Sequence, residues 1–179
     1  FRSSLEAWGK DLRFWMRFPT RQGEMVTVKT AVSAVSSDGA KLNMQELEGK
    51  TFASLKAEGE KLWEGQLSKF KIEATPEQRE TFYTSVYHAF LHPFIFQDAD
   101  GKFRELDKNI GQAEGFTNYT VFSLWDTYRA LHPLFNLVQR EINADIVNSM
   151  LAHYDKSVEH MLPVWSFYGN ETWCMIGYH

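Results

Sequence analysis

The chain has 179 residues, of which 44% are hydrophobic and 23% charged, a balance that is typical of a folded globular domain and excludes disorder over most of its length. Its net charge of -4, without a block of Lys and Arg residues, argues against nucleic acid as a partner. No apolar run approaches the roughly 20 residues that a membrane-spanning helix needs, and the single cysteine, Cys174, excludes an intrachain disulfide.

The N-terminal part of the chain carries the alternating pattern of β-strands. In residues 25–35, MVTVKTAVSAV, the valines at 26, 28 and 32 share one face, and polar residues occupy most of the other. Residues 36–39, SSDG, then end this strand. Residues 12–18 are expected to form a preceding strand closed by Pro19, with a hairpin loop at 21–24. We therefore predict that residues 1–45 are the end of a β-sheet domain.

The hydrophobic period changes after residue 45. Apolar residues now recur mostly at intervals of three and four, at Phe52, Leu55, Leu62, Trp63, Leu67 and Phe70. This spacing predicts an amphipathic linker helix within residues 46–74. A short strand at Phe70 to Glu73 is expected to close it.

The next helix has a clear start signal. Thr75 can cap the helix, Pro76 suits the first turn, and Gln78 completes a capping box. The helix is predicted to end at His92-Pro93. The following segment carries a turn at Asp98 to Gly101, DADG.

Two further helices are predicted in the C-terminal half. The first spans about 123–138, with a break or kink at Pro133. The second spans about 143–157, with an inward face formed by Ile146, Val147, Met150, Leu151 and Tyr154. The short connection at 139–142 favours antiparallel neighbours, as in helical bundles and barrels.

Two patterns suggest metal binding but have simpler explanations. The DADG segment at 98–101 resembles the start of a calcium loop, yet the downstream Glu is missing, so a β-turn is the better interpretation. His88 and His92 lie four residues apart, a spacing that can ligate zinc. No Glu follows the first of them as a metalloprotease requires, so packing histidines are favoured.

Ser123-Leu124-Trp125-Asp126 combines a carboxylate with an aromatic face. Ser followed three residues later by Asp is also a weak form of a capping box, so structure alone could explain Asp126. With Arg129 three residues further on, however, one turn offers the charged groups and the ring face with which proteins bind sugars. We regard Asp126 as a candidate sugar ligand.

A second cluster, GNETWCMIGYH at 169–179, again pairs a carboxylate with an indole, Glu171 with Trp173. A purely structural role for Glu171 is equally compatible with the sequence, as a residue in the first turn of a helix.

Four segments together resemble glycoside hydrolase family 92, the calcium-dependent α-mannosidases. TNYTVFSLWDTYRALHPL at 117–134 and GNETWCMIGYH at 169–179 are similar to two signature blocks in the first half of the family's catalytic domain. TFYTSVYHAFLHPFIFQDADGKFRELD at 81–107 resembles the same domain, and VTVKTAVSAVSSDGAKLN at 26–43 resembles the strand that ends its N-terminal domain. The resemblance covers essentially the whole chain, which we interpret as an internal segment of a larger protein.

The resemblance implies a fold and an activity. The expected fold is mixed: the end of a β-sandwich at 1–45, a linker helix at 46–74, and the first helices of an (α/α)6 barrel at 75–179. The expected activity is exo-acting hydrolysis of terminal α-mannosides of glycans, including N-glycans, with α-1,2 linkages as the expected ones. In the inverting mechanism that the resemblance implies, a carboxylic acid protonates the leaving oxygen and a carboxylate base activates a water molecule. Calcium is the implied cofactor, binding two mannose hydroxyls.

The resemblance assigns sugar-binding roles to six residues and catalytic or metal-binding roles to none in this segment. The six are Trp125, Asp126, Arg129, Glu171, Trp173 and His179, with Arg129 expected to orient Asp126. The family's general acid, general base and calcium ligands are expected beyond His179. We therefore expect residues 1–179 alone to be inactive and to bind calcium weakly.

Partners and location follow from the same resemblance. The expected partners are a mannose-containing glycan and the remainder of the same polypeptide, in a secreted, periplasmic or cell-surface enzyme. Two other classes stay open at this point. A non-catalytic carbohydrate-binding module would use the same Trp and carboxylate pairs, and a structural helical domain would use Asp126 and Glu171 as caps.

Overall fold

The structure, a computed structural model, describes residues 7–176 of the chain. Within this range helices combine with three small two-stranded sheets, so the predicted mixed class is confirmed. The helices are α1 (Ser37–Met44), α2 (Phe52–Leu67), α3 (Pro76–Ala89), α4 (Leu124–Thr127), α5 (Leu131–Val138) and α6 (Arg140–Lys156), with a 3-10 helix at Gln45–Leu47. The strands are β1 (Phe94–Ile95), β2 (Lys102–Arg104), β3 (Ile110–Gln112), β4 (Tyr119–Thr120), β5 (Ser166–Phe167) and β6 (Asn170–Glu171).

The described N-terminal segment, residues 7–35, contains no β-strand, so the strands predicted at 12–18 and 25–35 are wrong. A strand requires a second strand that pairs with its N–H and C=O groups, and no described segment pairs with this one. The alternating valines consequently face solvent, with Val28 58% and Val32 84% exposed. The assignment of residues 1–45 to the end of a β-sandwich stays a prediction.

Helix α1 begins where the sequence suggested the end of a strand. Ser36 caps it, because its Oγ accepts a hydrogen bond from the N–H of Gly39 at 3.0 Å. Asp38 lies in the first turn, where a negative charge is favourable. The SSDG segment is therefore the start of a helix rather than the end of a strand.

The helix predicted within residues 46–74 is present as α2. Its role as a linker between two domains stays a prediction. Thr51 and Ser54 form a capping box at its start. The strand predicted at Phe70 to Glu73 is wrong. Instead, the ring of Phe70 packs on Phe82 with centroids 5.8 Å apart, and its carbonyl accepts a hydrogen bond from Tyr83 Oη at 2.8 Å.

The predicted start of α3 is confirmed. Thr75 Oγ1 accepts a hydrogen bond from the N–H of Gln78 at 3.3 Å, and Gln78 Oε1 accepts one from the N–H of Thr75 at 3.1 Å. Pro76 is the first residue of the helix, where its missing N–H has no intrahelical partner to lose.

Three antiparallel pairs of strands follow, β1 with β4, β2 with β3, and β5 with β6. The DADG turn, which is confirmed, precedes β2, with the N–H of Gly101 donating to the carbonyl of Asp98 at 2.8 Å. Gly101 has a φ of +82°, a conformation that glycine adopts without strain.

The helix predicted at 123–138 is divided, but not at Pro133. The break lies at 128–130, between α4 and α5, and Pro133 lies within the first turn of α5. A proline is tolerated there because the first N–H groups of a helix have no intrahelical acceptor.

Helix α6 is confirmed, although its buried face differs from the predicted one. Ile146 is fully buried, but Val147, Leu151 and Tyr154 are 46%, 51% and 42% exposed. The buried stripe runs instead through Asn143, Ile146, Ser149 and His153. Buried polar residues on this face have hydrogen-bond partners. Ser149 Oγ, for example, accepts a hydrogen bond from the N–H of Tyr119 at 2.9 Å.

The buried core lies where α5, α6 and β4 meet. It is formed by Tyr119, Phe122, Phe135 and Ile146, and Phe90, Leu131, Ile142 and Met150 pack around it. Phe122, which follows β4, thus anchors the segment that leads into α4. In residues 7–176 no helix has the length and apolar character to cross a membrane.

Candidate functional site

Asp126 lies in α4, and a hydrogen bond to Ser123 fixes its carboxylate. Ser123 Oγ donates to Asp126 Oδ2 at 2.5 Å, and the carbonyl of Ser123 accepts from the N–H of Asp126 at 3.0 Å. Ser123 makes no side-chain cap at the helix start, so the capping-box explanation of Asp126 is wrong. The residue is exposed, and its second oxygen, Oδ1, accepts no hydrogen bond from the described part of the chain.

Trp125 is half-buried and offers a polar atom as well as its ring. Its indole Nε1 is buried, and no described group accepts a hydrogen bond from it. Buried donors in folded proteins almost always have a partner. The turn therefore carries one buried hydrogen-bond donor without a described partner, on Trp125, and one exposed carboxylate acceptor, on Asp126.

Arg129 does not orient Asp126, contrary to the prediction. Its Nε donates to Tyr128 Oη at 2.7 Å, and its guanidinium lies 5.4 Å from the centroid of the Tyr128 ring. The hydroxyl of Ser123 takes the role that we expected of Arg129. Whether Arg129 binds sugar stays a prediction.

Glu171 lies at the end of strand β6, so it is not in the helix turn that one interpretation assumed. Its Oε1 accepts hydrogen bonds from the N–H groups of Trp165, Thr172 and Trp173 at 2.9, 2.9 and 3.0 Å. Its Oε2 accepts one from the N–H of Val164 at 3.0 Å. This carboxylate thus joins the segment before β5 to the segment after β6.

Trp173 lies two residues after Glu171 and is 44% exposed. Its backbone has a φ of +52°, an unusual value for a residue with a side chain, and its N–H is held by Glu171. The indole is therefore placed in solvent by a backbone that Glu171 fixes. His179, the last predicted sugar ligand, lies outside the described residues.

Two hydrogen bonds join the 117–134 block to the segment that leads into the 169–179 block. The N–H of Phe122 donates to the carbonyl of Ser166 at 3.2 Å, and the N–H of Tyr168 donates to Thr120 Oγ1 at 3.0 Å. The β5–β6 hairpin therefore lies beside the segment that leads into α4. The segment before Asp126 and the hairpin before Trp173 are thus in direct contact.

His153 is a buried titratable group that the sequence analysis missed. It is 5% exposed, and its ring meets Phe122 edge-on with centroids 5.7 Å apart. Burial lowers the pKa of His153 to about 4, and the negative charge of Glu171 opposes this shift only in part. The sequence does indicate that His153 is buried, because it lies seven residues after Ile146 and therefore on the same face of α6.

We expect His153 to make the chain less stable in mild acid. The unfolded chain takes up this proton near the ordinary pKa of 6.5, whereas the folded chain takes it up at about 4. The free energy of unfolding should therefore fall as the pH drops from 6.5 towards 4, by about 3 kcal/mol at most. The urea concentration at the midpoint of unfolding should therefore decline as the pH is lowered across this interval. The decline should be less steep in His153→Leu than in the control His88→Leu. Equal slopes in both variants would contradict the assignment.

The carboxylates and histidines of the described residues do not form a metal centre. Within residues 7–176 no three such side chains gather in a way that could hold an ion. In the DADG turn, Asp98 is buried and accepts from Ser33 Oγ at 2.6 Å and Asn43 Nδ2 at 2.8 Å, while Asp100 pairs with Lys102 at 2.7 Å. These residues do not fit a calcium ion.

Two adjoining cavities, of about 410 and 600 Å³, lie away from the predicted sugar ligands. Both are lined by Val32, Asn43, Ile95, Gln97 and Asp98, at the contact between the N-terminal segment and the β1–β2 region. None of the described candidate sugar ligands lines either cavity. These two cavities are therefore separate from the candidate sugar-binding residues.

Known proteins resemble this chain over most of its length. Residues 39–179 match the model of the glycosyl hydrolase family 92 catalytic domain. A solved structure of a family GH92 α-mannosidase from Bacteroides thetaiotaomicron is 76% identical in sequence to this chain and superposes with a TM-score of 0.81. The match covers 82% of this chain and 20% of the mannosidase. The same enzyme in complex with mannoimidazole is 76% identical with a TM-score of 0.80, covering 82% of this chain and 19% of that chain.

A more distant structure also matches. The GH92 family glycosyl hydrolase ccman5 is 26% identical with a TM-score of 0.66, covering 69% of this chain and 17% of that chain. A search of curated proteins finds no match to the chain. The chain spans at most about a fifth of the length of these solved structures. Because the family model covers well over half of its residues, the chain belongs to glycosyl hydrolase family 92.

Proposed function

We propose that this chain is a segment of an exo-acting α-mannosidase that hydrolyses terminal α-mannosides of glycans with inversion. The observation that carries the proposal is its 76% identity, over 82% of its length, to a family GH92 α-mannosidase. At this identity we extend the activity named for the relative to the polypeptide that contains this chain. We further propose α-1,2-linked mannosides as the substrates.

The geometry around Asp126 supports a role in binding the terminal mannose. A carboxylate that is exposed, held by one hydrogen bond and still able to accept others suits the hydroxyl groups of a sugar. The neighbouring Trp125 adds a half-buried aromatic ring, whose indole N–H is buried and has no described hydrogen-bond partner. We propose that these two residues form one wall of the mannose subsite.

The β5–β6 hairpin supplies the adjacent wall in this proposal. The exposed indole of Trp173 is the contact that we assign to the sugar, and the carboxylate of Glu171 fixes the backbone on which it stands. Glu171 has one oxygen with a single hydrogen bond, which leaves it able to accept a sugar hydroxyl as well. We also keep Arg129 and His179 as proposed members of the subsite.

Inverting hydrolysis requires a general acid and a general base on opposite sides of the sugar ring. We propose that both groups, and the calcium ligands of the family, lie beyond His179 in the complete polypeptide. None of the described residues is assigned to proton transfer. Asp126 is assigned to binding and orientation of the mannose.

The domain organisation belongs to the same proposal. We propose that residues 1–45 end a β-sandwich, that α2 links two domains, and that residues 75–179 begin an (α/α)6 barrel. The exposed apolar side chains of Val147 and Leu151 on α6 support this arrangement, because a barrel helix needs an apolar partner on each side. A secreted, periplasmic or cell-surface location is part of the proposal.

Turnover of an aryl α-mannoside tests the proposed function. The full-length polypeptide should release the aryl group, and residues 1–179 expressed alone should not, because the acid and base are absent. Clear turnover by residues 1–179 alone would contradict the assignment of proton transfer to later residues. Mannose binding by the full-length polypeptide without turnover would instead indicate a carbohydrate-binding module.

A further inference from the structure

The turn between β5 and β6 is the point where the three small sheets meet. The N–H of Tyr168 donates to Thr120 Oγ1 in β4 at 3.0 Å, and the Tyr168 ring packs on Phe94 and Phe96 with centroids 5.6 Å away from each. These contacts hold one side of the turn against the β1–β4 pair. The other side faces the β2–β3 hairpin.

Gly169 brings the turn into close contact with β2. It is buried with a φ of +71°, and a Cβ at this position would lie 2.7 Å from the carbonyl oxygen of Arg104. Real Cβ atoms essentially never approach backbone oxygens so closely. Only glycine therefore allows the two hairpins to pack at this distance.

Lys108 joins the two hairpins through its ammonium group. It lies in the turn between β2 and β3, and its Nζ donates to the carbonyl of Gly169 at 2.7 Å and to Asn170 Oδ1 at 2.5 Å. Gly169 lies in the β5–β6 turn, and Asn170 is the first residue of β6, next to Glu171. Charge-assisted hydrogen bonds of this kind are stronger than neutral ones.

We infer that Lys108 is a positioning residue for the sugar-binding hairpin. By holding Gly169 and Asn170, Lys108 fixes the strand that carries Glu171 and the indole of Trp173 that follows it. This inference rests on the proposed function, since it assigns Lys108 to the same sugar subsite. Lys108 acts through the hairpin and does not itself touch the sugar.

Lys102 provides a matched control on the same hairpin. It is a lysine of β2 whose ammonium pairs with Asp100 at 2.7 Å, within its own turn. The substitutions Lys108→Met and Lys102→Met remove the same chemical group. They differ in whether the lost hydrogen bonds reach the β5–β6 hairpin.

The test compares these variants in the full-length polypeptide by hydrogen exchange and by steady-state kinetics. In Lys108→Met, amides of residues 164–173 should exchange about tenfold faster, and KM for an aryl α-mannoside should rise about tenfold with kcat changed less than KM. Lys108→Arg should restore most of both values, because its guanidinium can donate to the same two oxygens. Lys102→Met should resemble the wild type.

Two results would overturn the inference. Equal exchange at 164–173 in Lys108→Met and the wild type would mean that Lys108 does not hold the hairpin. Faster exchange with unchanged KM would mean that the contact is structural only.

If the wild type turned over no α-mannoside, the proposed function would fail. The exchange comparison, together with mannoimidazole affinity in Lys108→Met, would then decide the role of Lys108 separately.

Discussion

Replacement of Asp126 by alanine in the full-length polypeptide is expected to lower kcat/KM for α-mannosides about 10- to 100-fold. This range corresponds to the loss of one or two hydrogen bonds from sugar hydroxyls to a charged acceptor. The fold should survive the change, because the carboxylate is exposed and its partner is the hydroxyl of Ser123. Alanine also favours the helical conformation of α4.

Two further variants separate binding from structure in this experiment. Asp155→Ala removes an exposed carboxylate from α6, a helix that carries none of the candidate sugar ligands, and should retain wild-type kcat/KM. Asp126→Asn keeps the shape and one acceptor oxygen, so its loss should be smaller than that of Asp126→Ala. Wild-type kcat/KM in Asp126→Ala would show that this carboxylate does not bind the substrate.

Replacement of Glu171 by alanine is expected to loosen the β5–β6 hairpin. The four N–H groups of Val164, Trp165, Thr172 and Trp173 would lose their acceptor. Loss of a charged acceptor from partly buried amides costs about 2 kcal/mol or more, which corresponds to roughly 30-fold faster local hydrogen exchange. Native-state exchange of the full-length polypeptide, resolved to residues 164–173, measures this change.

The Glu171 experiment has an isosteric variant and a surface control. Glu171→Gln retains one oxygen for the amides that Oε1 now binds but turns an NH2 group towards Val164, so its effect should be intermediate. Glu159→Ala, at an exposed position, should leave exchange at 164–173 unchanged. Unchanged exchange in Glu171→Ala would show that the carboxylate does not organise this hairpin.

Helices were predictable from the sequence where their start signals are local. The capping box at Thr75 lies within four residues of sequence, so the sequence alone contains the interactions that begin α3. The strands at 12–18 and 25–35 were not predictable in this way. Alternation describes one face of a strand, but a strand also needs a partner, which the sequence pattern does not supply.

The candidate site was predictable in composition but not in its internal contacts. The pairing of Trp125 with Asp126 and of Glu171 with Trp173 is visible as sequence clusters. Asp126 is held by Ser123 and not by Arg129, and this choice depends on the local backbone geometry of α4. The contact of Lys108 with Gly169 joins residues 61 positions apart, and no local pattern indicates it.

The most direct test of the central claim is the fate of a terminal α-mannoside incubated with the full-length polypeptide, followed by proton NMR. An inverting α-mannosidase should release mannose first as the β-anomer, which then equilibrates with the α-anomer. Release of α-mannose first would contradict the inverting mechanism. Absence of any mannose release from α-1,2-linked and aryl α-mannosides would contradict the proposed function itself.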